Sequence, residues 1–172
     1  MAATRPSTTD RAASLNALPL GEVGAAERIV SGPVRLGRRT KLLVKHLSRG
    51  DVALLDHLDI DRVSAEELIA AGAAAVINCS PSSSGSYPNL GPQLLVEAGV
   101  LLLDVPEDSL FKQLSDGEVI VVRGSEVLRN GETLARGQVL DLARVLADTD
   151  ARRREIGEAL ERFAHNTIEH MR

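Results

Sequence analysis

The amino-acid sequence predicts a mixed α/β fold class in which parallel strands with crossover helices precede a C-terminal β meander and a long C-terminal helix. Between residues 52 and 114, short apolar runs alternate with helix-length segments, which is typical of β-α-β units in a parallel sheet. Between residues 118 and 136, three strand-like segments follow one another closely, and the dipeptide Asn130-Gly131 is a strong hairpin signal. From residue 138 onward the pattern is helical.

The 172 residues divide into three predicted segments. Residues 1–28 are rich in Ala, Ser, Thr and Arg without clean periodicity, so we expect a disordered tail. Residues 29–137 are expected to form the α/β domain, and residues 138–172 a helical segment. Because the sequence ends inside this helix without a stop signal, we expect the segment to lead into further domains.

Each predicted element rests on a local signal. The strands of the parallel half are short apolar runs, at residues 52–56, 73–78 and 100–104. The helices between and after them end near glycine, at residues 61–71, 89–99 and 107–114. The strands of the meander are bounded by turn residues, at residues 118–123, 126–129 and 133–136. The C-terminal helical segments are expected at residues 138–147 and 150–172.

A basic stretch, residues 34–45, precedes the first of these strands. It contains no acid and the following cations: Arg35, Arg38, Arg39, Lys41 and Lys45. A short helix here would have one apolar face, formed by Leu42, Leu43, His46 and Leu47. Two interpretations stay open, a solvated helix face and a contact with an anion or a membrane surface.

Composition excludes several classes of function. A net charge of −4 and an aromatic content of 2% argue against nucleic-acid binding. The single cysteine, Cys79, excludes an internal disulfide and Cys-x-x-Cys metal sites. We assign no metal and no cofactor. The sequence has no apolar run long enough to span a membrane and no signal-peptide core, so we expect a cytoplasmic location.

Residues 78–92, NCSPSSSGSYPNLGP, are named here the serine loop. A long connection rich in turn residues inside a compact α/β pattern favours either ligand binding or a rigid structural loop. The loop has neither the lysine of a phosphate-binding P-loop nor the frame of a nucleophile elbow, so no catalytic residue is assigned. Its ligand-binding candidates are Asn78, Ser80, Ser84, Gly85, Tyr87, Asn89 and Gly91.

The acidic segment, residues 56–61, follows another predicted strand. Ligands bind at this end of the strands in α/β sheets, so Asp56, His57 and Asp59 are further ligand-binding candidates. Carboxylate oxygens would suit Mg²⁺. The alternative is structural: Asp59 or Asp61 caps the following helix and the other side chains are solvated.

An apolar stripe runs along the last predicted helix. Its members recur every three or four residues and are Ile156, Leu160, Phe163, Thr167 and Met171. The stripe predicts packing either on the chain's own domain or on a partner. We expect it to be the partner-binding surface of a homodimer.

Five short segments occur in order along the chain: Arg38-Arg39-Thr40-Lys41, residues 50–61, Ala75-Val76-Ile77-Asn78, residues 84–92 and Glu97-Ala98-Gly99. Together they resemble the SteA family of actinobacterial cytokinetic-ring proteins, over residues 18–172. The resemblance implies a place at the division septum and a membrane protein of the division site as partner. Ser86 stands where the family usually has a basic residue, so the resemblance implies no anion contact there.

Longer family members continue into a thiamine-pyrophosphokinase-like domain and a membrane helix, and are membrane-associated. Neither segment is present in this sequence. The resemblance therefore assigns no kinase activity, nucleotide binding or membrane anchor to it.

The order of elements is also similar to the swivelling β/β/α domain of phosphoenolpyruvate-utilising enzymes. The likeness includes the Asp116-Gly117 turn that opens the meander. In that family the equivalent of the serine loop carries a phosphorylated histidine, whereas this chain has no histidine between His57 and His165. The resemblance thus implies the fold without phosphotransfer.

Two functions remain as expectations. The first is a non-catalytic scaffold module of a cell-division protein that self-associates and binds a partner. The alternative is a small-ligand domain, for phosphate or a nucleotide-like molecule, in a thiamine-pyrophosphokinase-like protein.

Overall fold

The structure, a computed structural model, describes residues 28–85 and 89–171. Its strands are β1 (Ile29–Leu36), β2 (Val52–Leu55), β3 (Ala75–Asn78), β4 (Leu101–Asp104), β5 (Val119–Arg123), β6 (Glu126–Arg129), β7 (Glu132–Arg136) and β8 (Gln138–Leu140). Its helices are α1 (Thr40–Leu43), α2 (Arg62–Ala71), α3 (Gly91–Glu97), α4 (Leu110–Gln113) and α5 (Leu142–His170).

The strands form one sheet in the order β7-β6-β5-β1-β2-β3-β4-β8. Strands β1 to β4 pair in parallel, and α1, α2 and α3 connect them. The meander β5-β6-β7 joins antiparallel to β1, and β8 pairs antiparallel with β4. The predicted α/β class, with its parallel strands, crossover helices, meander and long C-terminal helix, is confirmed.

Alternation along the strands gives the sheet two apolar faces. Val52 and Leu54 of β2 belong to one cluster of buried residues, which also contains Val122 and Val127 of the meander. Their neighbours on β2, Ala53 and Leu55, belong to a second cluster with residues of the four helices that cover the other face, Leu43, Leu68, Leu95 and Val145. Because both faces are covered, strands β2, β3 and β4 are almost entirely apolar.

Strand β1 was missed by the sequence analysis. Residues 1–27 of the predicted tail lie outside the described residues, but Ile29–Leu36 is the strand that joins the two halves of the sheet. The predicted basic helix shrinks to α1, Thr40–Leu43. A Cβ at Gly32 would lie 2.4 Å from the Gly50 carbonyl oxygen, so the close packing there requires glycine.

The prediction of helix at residues 138–147 was partly wrong. Gln138–Leu140 is strand β8, because the open edge of β4 offers hydrogen-bond partners to it. Helix α5 begins after Asp141, whose carboxylate accepts a hydrogen bond from the Arg144 N–H at 2.7 Å. From there one continuous helix of 29 residues runs to His170.

The hairpin prediction was correct. Asn130 and Gly131 connect β6 and β7 with φ angles of 51° and 79°, which are the left-handed conformations that this turn requires. Within residues 28–85 and 89–171, no helix combines the length and the apolar character needed to cross a membrane.

Candidate functional site

The acidic segment and the serine loop meet at the carboxyl edge of the parallel strands. The acidic segment follows β2, the serine loop begins at the last residue of β3, and Asp104 ends β4. Since β2, β3 and β4 are adjacent and parallel, their ends lie side by side. This is the edge at which α/β sheets bind ligands.

Asn78 is fully buried and joins the two segments. Its Oδ1 accepts hydrogen bonds from the backbone N–H of His57 at 3.0 Å and of Ser80 at 3.1 Å. Its Nδ2 donates to the His57 carbonyl and to the Ser82 hydroxyl, both at 2.9 Å. Every hydrogen-bonding atom of the amide is therefore engaged in holding the site together.

The carboxylates of two aspartates accept hydrogen bonds from further serines of the serine loop. Asp59 has a φ of 53°, and its carboxylate accepts from the Ser84 N–H at 2.5 Å and the Ser84 hydroxyl at 2.8 Å. Asp56 accepts a hydrogen bond from Ser80 and pairs with Arg38 at 3.2 Å. The carboxylates of Asp56 and Asp59 are thus hydrogen-bonded by the serine loop, and Asp56 is also paired with one arginine.

Asn89 and Gly91 anchor the far end of the loop. The Asn89 Nδ2 donates to the carbonyls of Ile60 and Ser82, both at 2.9 Å. A Cβ on Gly91 would lie 2.0 Å from the Ile60 carbonyl oxygen, so the first turn of α3 packs directly on backbone. These two residues fix where α3 begins relative to the acidic segment.

Nine of the ten ligand-binding candidates lie together at this edge of the sheet, in the acidic segment and the serine loop. The tenth, Tyr87, lies outside the described residues. His57 contacts the Thr40 hydroxyl through Nδ1 at 2.8 Å and Asp61 through Nε2 at 3.6 Å. Asp61 occupies the N-cap position of α2, and Gly85 has a φ of 94°.

Two residues of the site, Ser82 and Asp104, are not among the candidates predicted from the sequence. The Ser82 N–H and hydroxyl donate to the two carboxylate oxygens of Asp104 at 3.0 and 2.5 Å. Burial raises the pKa of Asp104, and the two bonds from Ser82 oppose that rise. The position of Asp104 at the end of a predicted parallel strand was a usable signal for it.

A depression of about 520 Å³ opens beside this network. It is lined by Ser80, Pro81, Ser83, Asp104, Pro106, Arg136, Gly137 and Gln138. Hydroxyl, carboxylate, guanidinium and amide groups meet there on apolar walls, as in sites for small polar molecules. In the part of the chain that the structure describes, no three His, Cys, Asp or Glu side chains are grouped to hold a metal ion.

Helix α5 touches the site at Arg152. This arginine donates to the hydroxyl of Ser83 and lies 3.5 Å from the Asn89 Oδ1. Upstream of it, Val145 and Thr149 are buried on the domain. Contact with the described part of the domain therefore extends along α5 from its start to Arg152.

Beyond Arg152 the apolar stripe is exposed. The exposed fractions are 41% for Ile156, 64% for Leu160, 72% for Phe163 and 82% for Met171. Thr167 is exposed too, and its hydroxyl donates to the Phe163 carbonyl of its own helix at 2.9 Å. The interpretation that the stripe packs on its own domain is therefore wrong for the described residues.

Comparison with known proteins gives little further information. No protein-family model matches the chain, and no curated protein matches it significantly. Among solved structures, the chain is similar to the crystal structure of 3-isopropylmalate dehydratase from Methanocaldococcus jannaschii, with 13% identity and a TM-score of 0.46 over 77% of this chain and 99% of that one. Similarity at this level supports no inference about the site.

Proposed function

We propose that this chain is a non-catalytic interaction module of a cell-division assembly and that it self-associates through the exposed half of α5. The observation that carries the proposal is the exposure of the stripe described above. The link to division rests on the sequence resemblance to the SteA family. The resemblance also supports a membrane protein of the division site as a further partner.

The stripe continues the face of α5 that already packs on the domain. Val145, Thr149 and Arg152 contact the domain, and Ile156 follows Arg152 by one helical turn. The spacing of three and four residues is then kept to the end of the helix. A second helix laid on the stripe would therefore also approach the serine loop.

The energetics favour a covered stripe. The exposed half of α5 is only marginally stable as a helix in water unless its apolar face packs against another surface. Burial of Leu160 or Phe163 would contribute roughly 1.5–3 kcal/mol each. In a symmetric dimer every contact occurs twice, so even a short apolar stripe can stabilise the dimer.

The charges of α5 favour an antiparallel pair. Arg153 lies on the same side of the helix as the stripe, and in a parallel pair it would face Arg153 of the partner subunit. In an antiparallel pair whose centre lies between Leu160 and Phe163, Leu160 of each helix packs on Phe163 of the other. Arg153 then lies opposite His170. The antiparallel arrangement avoids the arginine–arginine contact.

A spin-label distance tests both self-association and orientation. A nitroxide on Met171→Cys is exposed, whereas the native Cys79 is buried. An antiparallel pair places the two labels about 28 Å apart, from a rise of about 1.5 Å per residue. A parallel pair places them about 10 Å apart, the spacing of packed helices. The absence of any dipolar coupling at high protein concentration would contradict self-association, and a distance near 10 Å would contradict only the orientation.

The second candidate function is small-ligand binding at the serine loop. The depression of about 520 Å³ at the carboxyl edge of the sheet favours it. Thermal unfolding in the presence of nucleotides, phosphates and Mg²⁺ tests this candidate, because a ligand that binds only the folded state raises the midpoint. No shift with any of them would count against it.

A further inference from the structure

A second depression, named here the basic depression, lies on the other side of the acidic segment. Its volume is about 320 Å³. It is lined by Arg38, Arg39, Thr40, Lys41, Asp56, His57, Leu58 and Ser64. It is separate from the exposed stripe of α5 and shares only the acidic segment with the serine-loop site.

The positive charges of the basic depression are only partly compensated. Arg38 pairs with Asp56 at 3.2 Å and Asp108 at 3.1 Å, and its guanidinium lies 4.4 Å from the centre of the Phe111 ring. The side chains of Arg39 and Lys41 have no hydrogen-bond or ion-pair partner within residues 28–85 and 89–171, and both residues are exposed. Two uncompensated cations, two residues apart, therefore line one concavity, although the whole chain carries a net charge of −4.

Neutral groups complete the wall of the basic depression. Thr40 is buried, and its hydroxyl is held 2.8 Å from the His57 Nδ1. Ser64 contributes a further hydroxyl from α2. Leu58 is 56% exposed and provides an apolar surface on the same wall. The combination suits a ligand that carries a strongly charged anionic group beside an apolar or neutral part.

We infer that the basic depression binds a phosphate group, with Arg39 and Lys41 as its cationic contacts. A phosphate carries up to two negative charges and three acceptor oxygens, which matches two free cations better than a single carboxylate does. The phosphate can belong to a phosphorylated small molecule or to a lipid headgroup, since both present the same chemistry. The inference is independent of self-association through α5.

Titration calorimetry with inorganic pyrophosphate tests the inference on the whole chain. We expect saturable binding to the native sequence and at least tenfold weaker binding to an Arg39→Ala/Lys41→Ala variant. The matched control is Lys112→Ala/Arg154→Ala, which removes the same two charge types from exposed positions outside the basic depression and should bind like the native chain. An Arg39→Lys/Lys41→Arg variant retains both charges and should keep most of the affinity, and an unchanged circular dichroism spectrum of the alanine variant shows that its loss of affinity is not a folding defect.

Co-sedimentation with vesicles identifies the source of the phosphate. The vesicles contain either phosphatidylcholine alone or phosphatidylcholine mixed with phosphatidic acid. Binding to the mixed vesicles but not to pyrophosphate, lost in the alanine variant and kept in the control, would assign the site to a lipid headgroup and support the inference. Failure to bind both probes would overturn it, as would equal weakening of binding by the alanine and control variants.

Discussion

The side-chain amide of Asn78 exchanges two hydrogen bonds with the backbone of His57. The Oδ1 atom accepts from the His57 N–H at 3.0 Å, and the Nδ2 atom donates to the His57 carbonyl at 2.9 Å. The pair imitates the bonding between neighbouring strands beyond the end of β2, at the last residue of β3. One buried side chain thereby holds the acidic segment against the serine loop.

Substitution of Asn78 by alanine is expected to destabilise the domain by about 3 kcal/mol, because several buried polar groups lose their partner at once. The free energy of unfolding in urea measures the effect. Asn166→Ala, at an exposed position of α5, is the control and should change stability by less than about 0.5 kcal/mol. If the two variants were equally stable, the network would not hold the site.

Two glycine-to-alanine substitutions are expected to have opposite effects. At Gly91 the new methyl group would lie 2.0 Å from the Ile60 carbonyl oxygen, so we expect a loss of more than about 2 kcal/mol. At Gly157, inside α5, a Cβ meets no atom within 4 Å, and alanine should add about 0.5–1 kcal/mol of helix stability. Circular dichroism during thermal unfolding compares the two, and a tolerated Gly91→Ala would contradict the packing of α3 on Ile60.

The thiol of Cys79 is expected to be unreactive in the folded protein. Burial, with a smaller effect from the nearby Asp56, raises the pKa of Cys79 to about 12. At pH 8 almost none of it is thiolate, so a disulfide reagent such as dithiobisnitrobenzoate should label it only after unfolding in urea. Rapid labelling of the native chain would show that the carboxyl edge of β3 opens readily.

Local signals predicted the parts of the fold that depend on local chemistry. Asn130-Gly131 gave the correct hairpin because its left-handed conformations are specific to these residue types. Strand β8 was mistaken for helix because Val139 and Leu142 fit a helical spacing, and only the open edge of β4, a long-range feature, makes Gln138–Leu140 a strand. Strand β1 was missed for the same reason, since its strand partners are distant in sequence.

The sequence predicts where the candidate site lies but not which of its side chains hydrogen-bond to each other. The acidic segment and the serine loop each follow a predicted parallel strand, and the ends of adjacent parallel strands meet at one edge of the sheet. The serines of the loop are chemically alike, and nothing local shows that Ser82 bonds Asp104 while Ser84 bonds Asp59. These pairings depend on backbone positions that only the folded sheet defines.

The central claim, that the exposed half of α5 mediates self-association, is tested most directly by mass in solution. We would compare the native chain with a Leu160→Asp/Phe163→Asp variant by light scattering at high micromolar concentration. The control is Ala151→Asp/His165→Asp, which adds the same charges on the opposite side of α5. The account predicts dimers for the native chain and the control, and a folded monomer for the Leu160→Asp/Phe163→Asp variant. A native chain that is already monomeric, or a stripe variant that still dimerises, would contradict it.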